Sequence, residues 1–219
     1  MKYFTAAIAT AALGLALVGC GSDNKSSTTS TSAGTSTSTS TASSSTPGAQ
    51  PHKTIDDYIN ENHITDTDVR EGDPGSPTIN LPVPDGWKTS ENANASFGIV
   101  QAQPANPSDP PIIMGNVHKL TGNVDPAKIL QYAPGALQNL PGYEGSDSGP
   151  STLSNFQAWQ VSGTYLKDGT KRAAAQKTVV IPTQGAVFVL MLDADSLESD
   201  QGPLLDATKV IDDHTTITL

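Results

Sequence analysis

The stretch from Ala186 to Leu192, AVFVLML, is apolar at every position. An apolar run of this length between turn residues is typical of a central strand whose two faces are both covered. The turn before it contains Pro182 and Gly185, and the segment 172–181 that precedes the turn ends in three consecutive β-branched residues. We therefore expect these two segments to be neighbouring strands at the centre of a sheet.

A hairpin extends this pair upstream into a meander. Trp159, Val161 and Tyr165 stand at alternate positions and would share one face of a strand. The sequence KDGT at 167–170 separates that strand from the next one, and an Asp-Gly pair is typical of a tight hairpin turn. The three strands are therefore expected to be consecutive and antiparallel.

Shorter elements surround the meander. Thr54 is a suitable cap for a short helix, and Asp125-Pro126 is a suitable start for a second one, which Pro134-Gly135 should kink or split. The other predicted elements are strands at 97–101 and 112–120, an edge strand around 81–83, a helix at 203–212 with Leu204, Thr208 and Ile211 facing inward, and a final strand at 215–219. Because the helices interrupt a mostly antiparallel set of strands without regular βαβ alternation, the expected fold class is α+β, an antiparallel sheet flanked by helices.

The N-terminus has the features of an export signal. Lys2 precedes an apolar run of about 15 residues, which is too short to span a bilayer, and the run ends in Leu17-Val18-Gly19-Cys20. This motif predicts that residues 1–19 are a signal peptide and that Cys20 carries a lipid anchor. The alternative is an ordinary secretory signal with an incidental cysteine. The expected location is the extracytoplasmic face of the cell membrane, with the cell wall or the medium as further destinations after release.

Composition separates a tether from a folded domain. Residues 20–50 are expected to form a disordered spacer, because 26–46 is nearly all Ser and Thr and has no apolar groups to bury. The spacer suits O-glycosylation and would reach roughly 30 Å from the membrane. Residues 51–219 should form the globular domain, without a disulfide because Cys20 is the only cysteine. The net charge of −10 argues against nucleic acid as a partner.

Several motifs in a fixed order carry a family resemblance. They are the cysteine motif, the Ser/Thr spacer, TIDDYI at 54–59, LPVPDGW at 81–87 and LPGY at 140–143. Together they resemble the LpqN-type lipoproteins of mycobacteria. The resemblance implies a PsbP-like α/β/α sandwich, a role in cell-envelope biogenesis, and envelope-lipid transporter proteins as partners. It implies no catalytic residues.

The polar residues show no catalytic or metal-binding pattern. The four histidines are His52, His63, His118 and His214, and no two of them have zinc-motif spacing. GSDSG at 145–149 resembles a nucleophile elbow but has Asp where the central Ser is needed, so we expect a turn. DADS at 193–196 begins like a calcium loop but lacks the later ligands, so we expect a solvated loop. We therefore expect no metal and no cofactor, and a binding protein in place of an enzyme.

Aromatic side chains are the candidates for ligand binding. Trp87, Tyr132, Tyr143 and Trp159 come from different elements and could line a groove between sheet and helix near the Pro134-Gly135 kink. Their rings suit sugar C–H groups and acyl chains, so the expected ligand is a trehalose-type glycolipid; ordinary core packing is the alternative role. The alternative function is a hydrolase or transferase of envelope glycolipid or peptidoglycan that uses carboxylates such as Asp85 or Glu144.

Overall fold

The computed structural model describes residues 51–90 and 95–219 of the chain. The predicted signal peptide, the predicted lipidation site at Cys20 and the predicted tether lie outside the described residues. None of the described helices is long and apolar enough to cross a membrane.

The largest element of the described part of the chain is one antiparallel sheet of eight strands. Its strands are β1 (Thr65–Val69), β3 (Trp87–Thr89), β4 (Phe97–Gln101), β5 (Ile112–Thr121), β6 (Glu144–Leu153), β7 (Phe156–Lys167), β8 (Thr170–Pro182) and β9 (Val187–Leu197). The strand order is β3-β4-β5-β9-β8-β7-β6. Strands β4 and β1 pair with successive halves of β5. Two further strands, β2 (Thr78–Asn80) and β10 (Thr216–Thr218), form a separate antiparallel pair.

The apolar segment around 186–192 lies at the centre of the sheet, as predicted. Strand β9 pairs with β5 on one edge and with β8 on the other. In the β8–β9 register, Val180 lies opposite Val189, and Val179 lies opposite Leu190 on the other face. All four side chains are buried, which explains why the sequence of β9 shows no polar alternation.

Four helices cover the two faces of this sheet. They are α1 (Ile55–Glu61), α2 (Pro126–Tyr132), α3 (Gly135–Gln138) and α4 (Gln201–His214). Ile55 of α1 and Ile129 of α2 pack in one cluster with Val180 and Val189, and Leu137 of α3 packs with neighbouring residues of β7 and β8; we call this the α1–α3 face. Helix α4 covers the opposite side, the α4 face, where Leu204, Ala207 and Ile211 pack against residues of β8 and β9. The predicted α+β fold is therefore confirmed, with helices on both sides of an antiparallel sheet.

Local sequence patterns predicted the positions of the 167–170 turn and of two helix caps correctly. Asp168 and Gly169 occupy the predicted hairpin turn with φ values of 52° and 78°, the positive pair that a type I′ turn requires. The Thr54 hydroxyl accepts a hydrogen bond from the Asp57 backbone N–H, and the Asp57 carboxylate accepts one from the Thr54 backbone N–H. Asp125 caps α2 in the same way, by accepting from the Ala127 backbone N–H.

Two predictions about polar segments were wrong, and one polar strand was not predicted. The expected turn at 145–149 lies inside the edge strand β6, which has a bulge between Gly145 and Asp147. The expected solvated loop at 193–196 belongs to β9, and β1 (TDTDV) was missed. These segments have few apolar residues, so their strand conformation comes from backbone pairing with neighbouring strands. In α4, Ala207 is buried where Thr208 was expected to face inward.

Candidate functional site

The four candidate aromatic residues do not share one groove. Trp87 packs against the buried cluster on the α4 face. Trp159 and Tyr132 pack against the cluster around α1 and α2, and Tyr143 packs against the one around Leu137, all on the α1–α3 face. The sheet therefore separates Trp87 from the other three side chains, and the prediction of a common groove is wrong.

Two of the three aromatic residues on the α1–α3 face, Trp159 and Tyr143, make hydrogen bonds within the domain. Trp159 Nε1 donates a hydrogen bond to Ser148 Oγ at 3.1 Å, which ties β7 to β6. The Tyr143 hydroxyl donates to the Ser162 carbonyl at 2.9 Å, and its ring lies where a Cβ on Gly163 would come within 2.6 Å. Burial raises the pKa of the Tyr143 hydroxyl. These contacts give Trp159 and Tyr143 a role in packing and in strand pairing.

The predicted helix break at Pro134-Gly135 is present, but other residues occupy the space beside it. Helix α2 ends at Tyr132 and α3 begins at Gly135. A Cβ on Gly135 would lie 2.2 Å from the Lys53 carbonyl oxygen. The Asn139 side chain also accepts from the His52 backbone N–H at 2.8 Å and donates to the His52 carbonyl at 2.7 Å. The segment before α1 therefore fills the position where a ligand was expected.

A groove suited to an apolar ligand lies on the opposite face, between the sheet and α4. We call it the sheet–α4 groove; its cavity volume is about 200 Å³. Its apolar lining includes Ile113 on β5, Ala175 on β8, Leu192 and Ala194 on β9, and Leu205 and Ile211 on α4. Leu205 is 56% exposed at the helix surface, so the apolar lining continues outwards from the buried floor. No sequence signal identified this groove, because its walls come from five strands and one helix.

The groove exists because small residues meet under the helix. Ala175 and Ala194 lie directly opposite each other in the β8–β9 register, so the sheet presents two methyl groups where larger side chains would fill the space. In α4, Leu204 is buried and does not line the groove, while its neighbour Leu205 stands on the flank that borders it. Because the helix repeats every 3.6 residues, these neighbouring side chains point in different directions.

Polar side chains surround the apolar floor. Lys177 Nζ lies 2.7 Å from Asp212 Oδ1, and this ion pair connects β8 to α4 across the groove. Gln160 Nε2 donates to Asp147 Oδ2 at 2.9 Å, and Ser162 shares a 2.9 Å hydrogen bond with a serine of β6. A site with an apolar floor and a rim of amide, hydroxyl and carboxylate groups can hold an acyl chain and hydrogen-bond a polyhydroxylated head group.

A second groove borders the other flank of α4. We call it the α4–loop groove; it has a cavity volume of about 520 Å³ and lies between α4 and the segment 83–87. It is lined by Val83, Pro84, Asp85, Gly86, Trp87 and Gln101, and by Pro203, Asp206, Ala207, Val210 and His214 of α4. No residue lines both grooves.

A buried ionic cluster around Arg172 joins a loop to the sheet. The Arg172 guanidinium on β8 contacts the carboxylates of Asp109 and Asp195, and the Tyr165 hydroxyl donates to Asp195 Oδ2 at 2.6 Å. The guanidinium lowers the pKa of Asp109, while burial and the Asp195 carboxylate raise the pKa of Tyr165 to about 12. Burial likewise raises the pKa of Asp193 on the same strand. The cluster fastens the connection between β4 and β5 to the sheet.

The carboxylates proposed for catalysis are far apart. Asp85 precedes β3, at one edge of the sheet, and Glu144 begins β6, at the other edge. Six strand spacings separate those edges, on the order of 30 Å. Glu144 is exposed and forms an ion pair with Lys171 at 3.1 Å. Within the described ranges 51–90 and 95–219, no three His, Cys, Asp or Glu side chains are placed to hold a metal ion.

Comparison with known proteins identifies close relatives. The family model described as "Probable lipoprotein LpqN" matches residues 51–218. Lipoprotein LpqN of Mycobacterium tuberculosis (strain ATCC 25618 / H37Rv) is 56% identical to this chain over 227 aligned residues, which cover 100% of both chains. A crystal structure of LpqN "involved in cell envelope biogenesis of Mycobacterium tuberculosis" is 57% identical, with a TM-score of 0.75, and covers 78% of this chain and 100% of that chain.

Proposed function

Because this chain belongs to the LpqN family of lipoproteins, we propose that it is a lipid-anchored, non-catalytic protein of the cell envelope that binds one amphiphile in the sheet–α4 groove. The preferred ligand class is a neutral glycolipid such as a trehalose ester. The observation that carries the proposal is the apolar floor under α4, which the Ala175–Ala194 pair leaves open beside a polar rim.

The size of the groove limits the part of the ligand that it covers. A volume of 200 Å³ holds about seven groups of the size of a water molecule or a methylene. Burying seven methylenes contributes roughly 6 kcal/mol, before the cost of association is subtracted. We therefore expect micromolar affinity at best, which suits a protein that accepts and releases its ligand.

The rim favours an uncharged head group. Gln160, Ser162 and Thr208 supply amide and hydroxyl groups, and Lys177 is already paired with Asp212. The net charge of −10 disfavours an anionic head through long-range repulsion. A sugar head group meets these conditions because its hydroxyl groups both donate and accept hydrogen bonds.

The remaining parts of the proposal concern location and partners. Cys20 would hold the domain at the extracytoplasmic face of the membrane, within the roughly 30 Å reach of a flexible tether. The M. tuberculosis relative is described as involved in cell envelope biogenesis, and we extend that role to this chain. Docking on envelope-lipid transporter proteins would give the groove a source of ligand.

Calorimetric titration tests the binding site directly. The probe is trehalose monooctanoate, below its micelle concentration, added to the chain carrying Cys20→Ala. Neither tryptophan lines the sheet–α4 groove, so heat is a better signal than intrinsic fluorescence. Ala175→Leu fills part of the floor and should weaken binding at least tenfold, whereas Ala136→Leu, on the exposed surface of α3, should leave it unchanged. Melting curves confirm that both variants are folded.

Two results would contradict the proposal. One is the absence of saturable heat with trehalose monooctanoate. The other is equal affinity of the Ala175→Leu and Ala136→Leu chains, which would place the ligand elsewhere. Free trehalose and octanoate serve as half-ligands, and each should bind more weakly than the ester because each fills only the rim or only the floor.

A further inference from the structure

The α4–loop groove is not used by the proposed amphiphile site. Residues Pro203, Asp206, Val210 and His214 stand on one flank of α4, at spacings of three, four and four residues. They face the segment 83–87, whose last residue, Trp87, begins β3. The cavity of about 520 Å³ has room for about seventeen water-sized groups, which corresponds to several side chains of an extended peptide.

Two carboxylates in this groove lack a cationic partner. Asp85 and Asp206 are both exposed, and among the residues that the structure describes neither forms an ion pair or a side-chain hydrogen bond. Several other carboxylates of the domain are paired: Asp109 and Asp195 with Arg172, Asp212 with Lys177, and Asp213 with Lys209. The groove therefore offers negative charge that residues of the domain do not neutralise.

Apolar side chains line the same groove as these carboxylates. Trp87 is half-buried, so one part of its ring system contacts the core while another part lines the groove. Val83 is 44% exposed, which is unusual for a large apolar side chain of this domain, and Pro203 and Val210 continue the apolar lining on α4. An indole with carboxylates nearby suits an Arg or Lys side chain, because its aliphatic stem packs on the ring and its charged end reaches the carboxylates.

We propose that the α4–loop groove is the docking site for an extended, cationic segment of a partner protein. One Arg or Lys side chain of that segment binds between Asp85 and Asp206 with its stem on Trp87, and neighbouring apolar residues contact Val83 and Val210. The excess of 22 acidic over 12 basic residues in the chain attracts such a segment from a distance. The inference is independent of the amphiphile proposal because the two grooves share no residue.

Selection from a peptide library tests the chemistry of the partner. The chain carrying Cys20→Ala is immobilised and used to select from a random library of nine-residue peptides displayed on phage. The same selection is performed on the variant Asp85→Asn/Asp206→Asn and on a matched control, Asp56→Asn/Glu71→Gln. The control removes the same amount of charge from two exposed carboxylates that form no ion pair among the described residues.

The peptide that is enriched most strongly is then measured in solution. In a Trp159→Phe background, Trp87 is the only tryptophan of the chain, and because it lines the α4–loop groove its fluorescence responds to a peptide bound there. We expect a saturable change in emission, a Kd that rises at least tenfold in Asp85→Asn/Asp206→Asn, and a Kd within twofold of the parent in the control. Affinity should also fall with added salt, because the contributing charges are exposed.

Any of the following results would overturn the inference. Enriched peptides without Arg or Lys, or no enrichment at all, would exclude a cationic segment as the occupant. Equal enrichment on the Asp85→Asn/Asp206→Asn variant, or an equal loss of affinity in the control, would show that peptides respond to net charge and not to this groove. A peptide that binds without changing Trp87 emission occupies another surface.

Discussion

Replacing Arg172 by Met should destabilise the domain substantially. Arg172 is only 6% exposed, and its Nε donates to Asp195 Oδ1 at 2.8 Å. Its two terminal nitrogens bind the Asp109 carboxylate in a bidentate arrangement, at 2.5 and 3.1 Å. Met retains much of the apolar stem of Arg, so the substitution mainly removes the charge and the hydrogen bonds. Two carboxylates then remain close together without their cation.

The structure sets the size of the effect. Removing one partner of a buried ion pair typically costs about 3–5 kcal/mol. Here the side chains of Asp109 and Asp195 are 40% and 26% exposed, so water compensates part of the loss. We therefore expect the free energy of unfolding to fall by about 2–3 kcal/mol. For a domain of this size, that corresponds to a decrease in Tm of roughly 4–12 °C.

Urea unfolding followed by circular dichroism measures this difference. The matched control is Lys171→Met, one residue earlier on β8, where Nζ lies 3.1 Å from Glu144 and 3.2 Å from Glu198. Lys171 is exposed, and exposed pairs contribute little, so the control should change the free energy by less than about 1 kcal/mol. If Arg172→Met costs no more than Lys171→Met, the cluster does not stabilise the fold and the reasoning from burial is refuted.

Four further predictions follow from the sequence and the structure. Cys20→Ala should move the protein from the detergent phase to the aqueous phase in Triton X-114 partitioning, and retention in detergent would exclude Cys20 as the anchor. Residues 51–219 should unfold alone in one cooperative transition that reductant does not shift, because the only cysteine is Cys20; several transitions would contradict the boundary. Arg172 lowers the pKa of Asp109 in the folded state, so the Asp109–Arg172 pair contributes its full stability above the ordinary pKa of a carboxyl group and loses it as the pH falls through the lowered pKa. The difference in the free energy of unfolding between the parent chain and Arg172→Met should therefore narrow below about pH 4. A difference that stays constant with pH would contradict this. Gly135→Ala should cost about 1–3 kcal/mol in urea unfolding, since its Cβ would lie 2.2 Å from the Lys53 carbonyl oxygen, and a neutral result would mean that the segment before α1 moves freely.

Sequence patterns were sufficient where the determining interactions are local. The Asp168-Gly169 turn, the Thr54 capping box and the helix break at Pro134 each depend on residues within a few positions of one another. The apolar run at 186–192 was equally informative because burial on both faces leaves a continuous pattern. These signals, with the order of the elements, were enough for the α+β fold and for the family resemblance.

Strands without an apolar pattern could not be found in this way. The edge strand β6 is exposed along most of its length and contains Gly149 and Pro150, which favour a turn when considered alone. Residues 193–196 continue β9 because β8 pairs with all four of them and β5 pairs with the first three. Asp195 is acceptable in this strand because Arg172, 23 residues earlier in the chain, neutralises it.

The chain's own sequence was sufficient to locate the central strands and to predict the class of fold, because these depend on neighbouring residues; it also predicts an export signal and a spacer. Only the tertiary structure decided where a ligand could bind. The sheet–α4 groove requires Ala175 and Ala194 to face each other across two strands beneath a helix that follows later in the chain. The same structure places Trp87 on the side of the sheet opposite to Trp159. Such arrangements depend on strand register and helix packing, and no spacing along the sequence encodes either one directly.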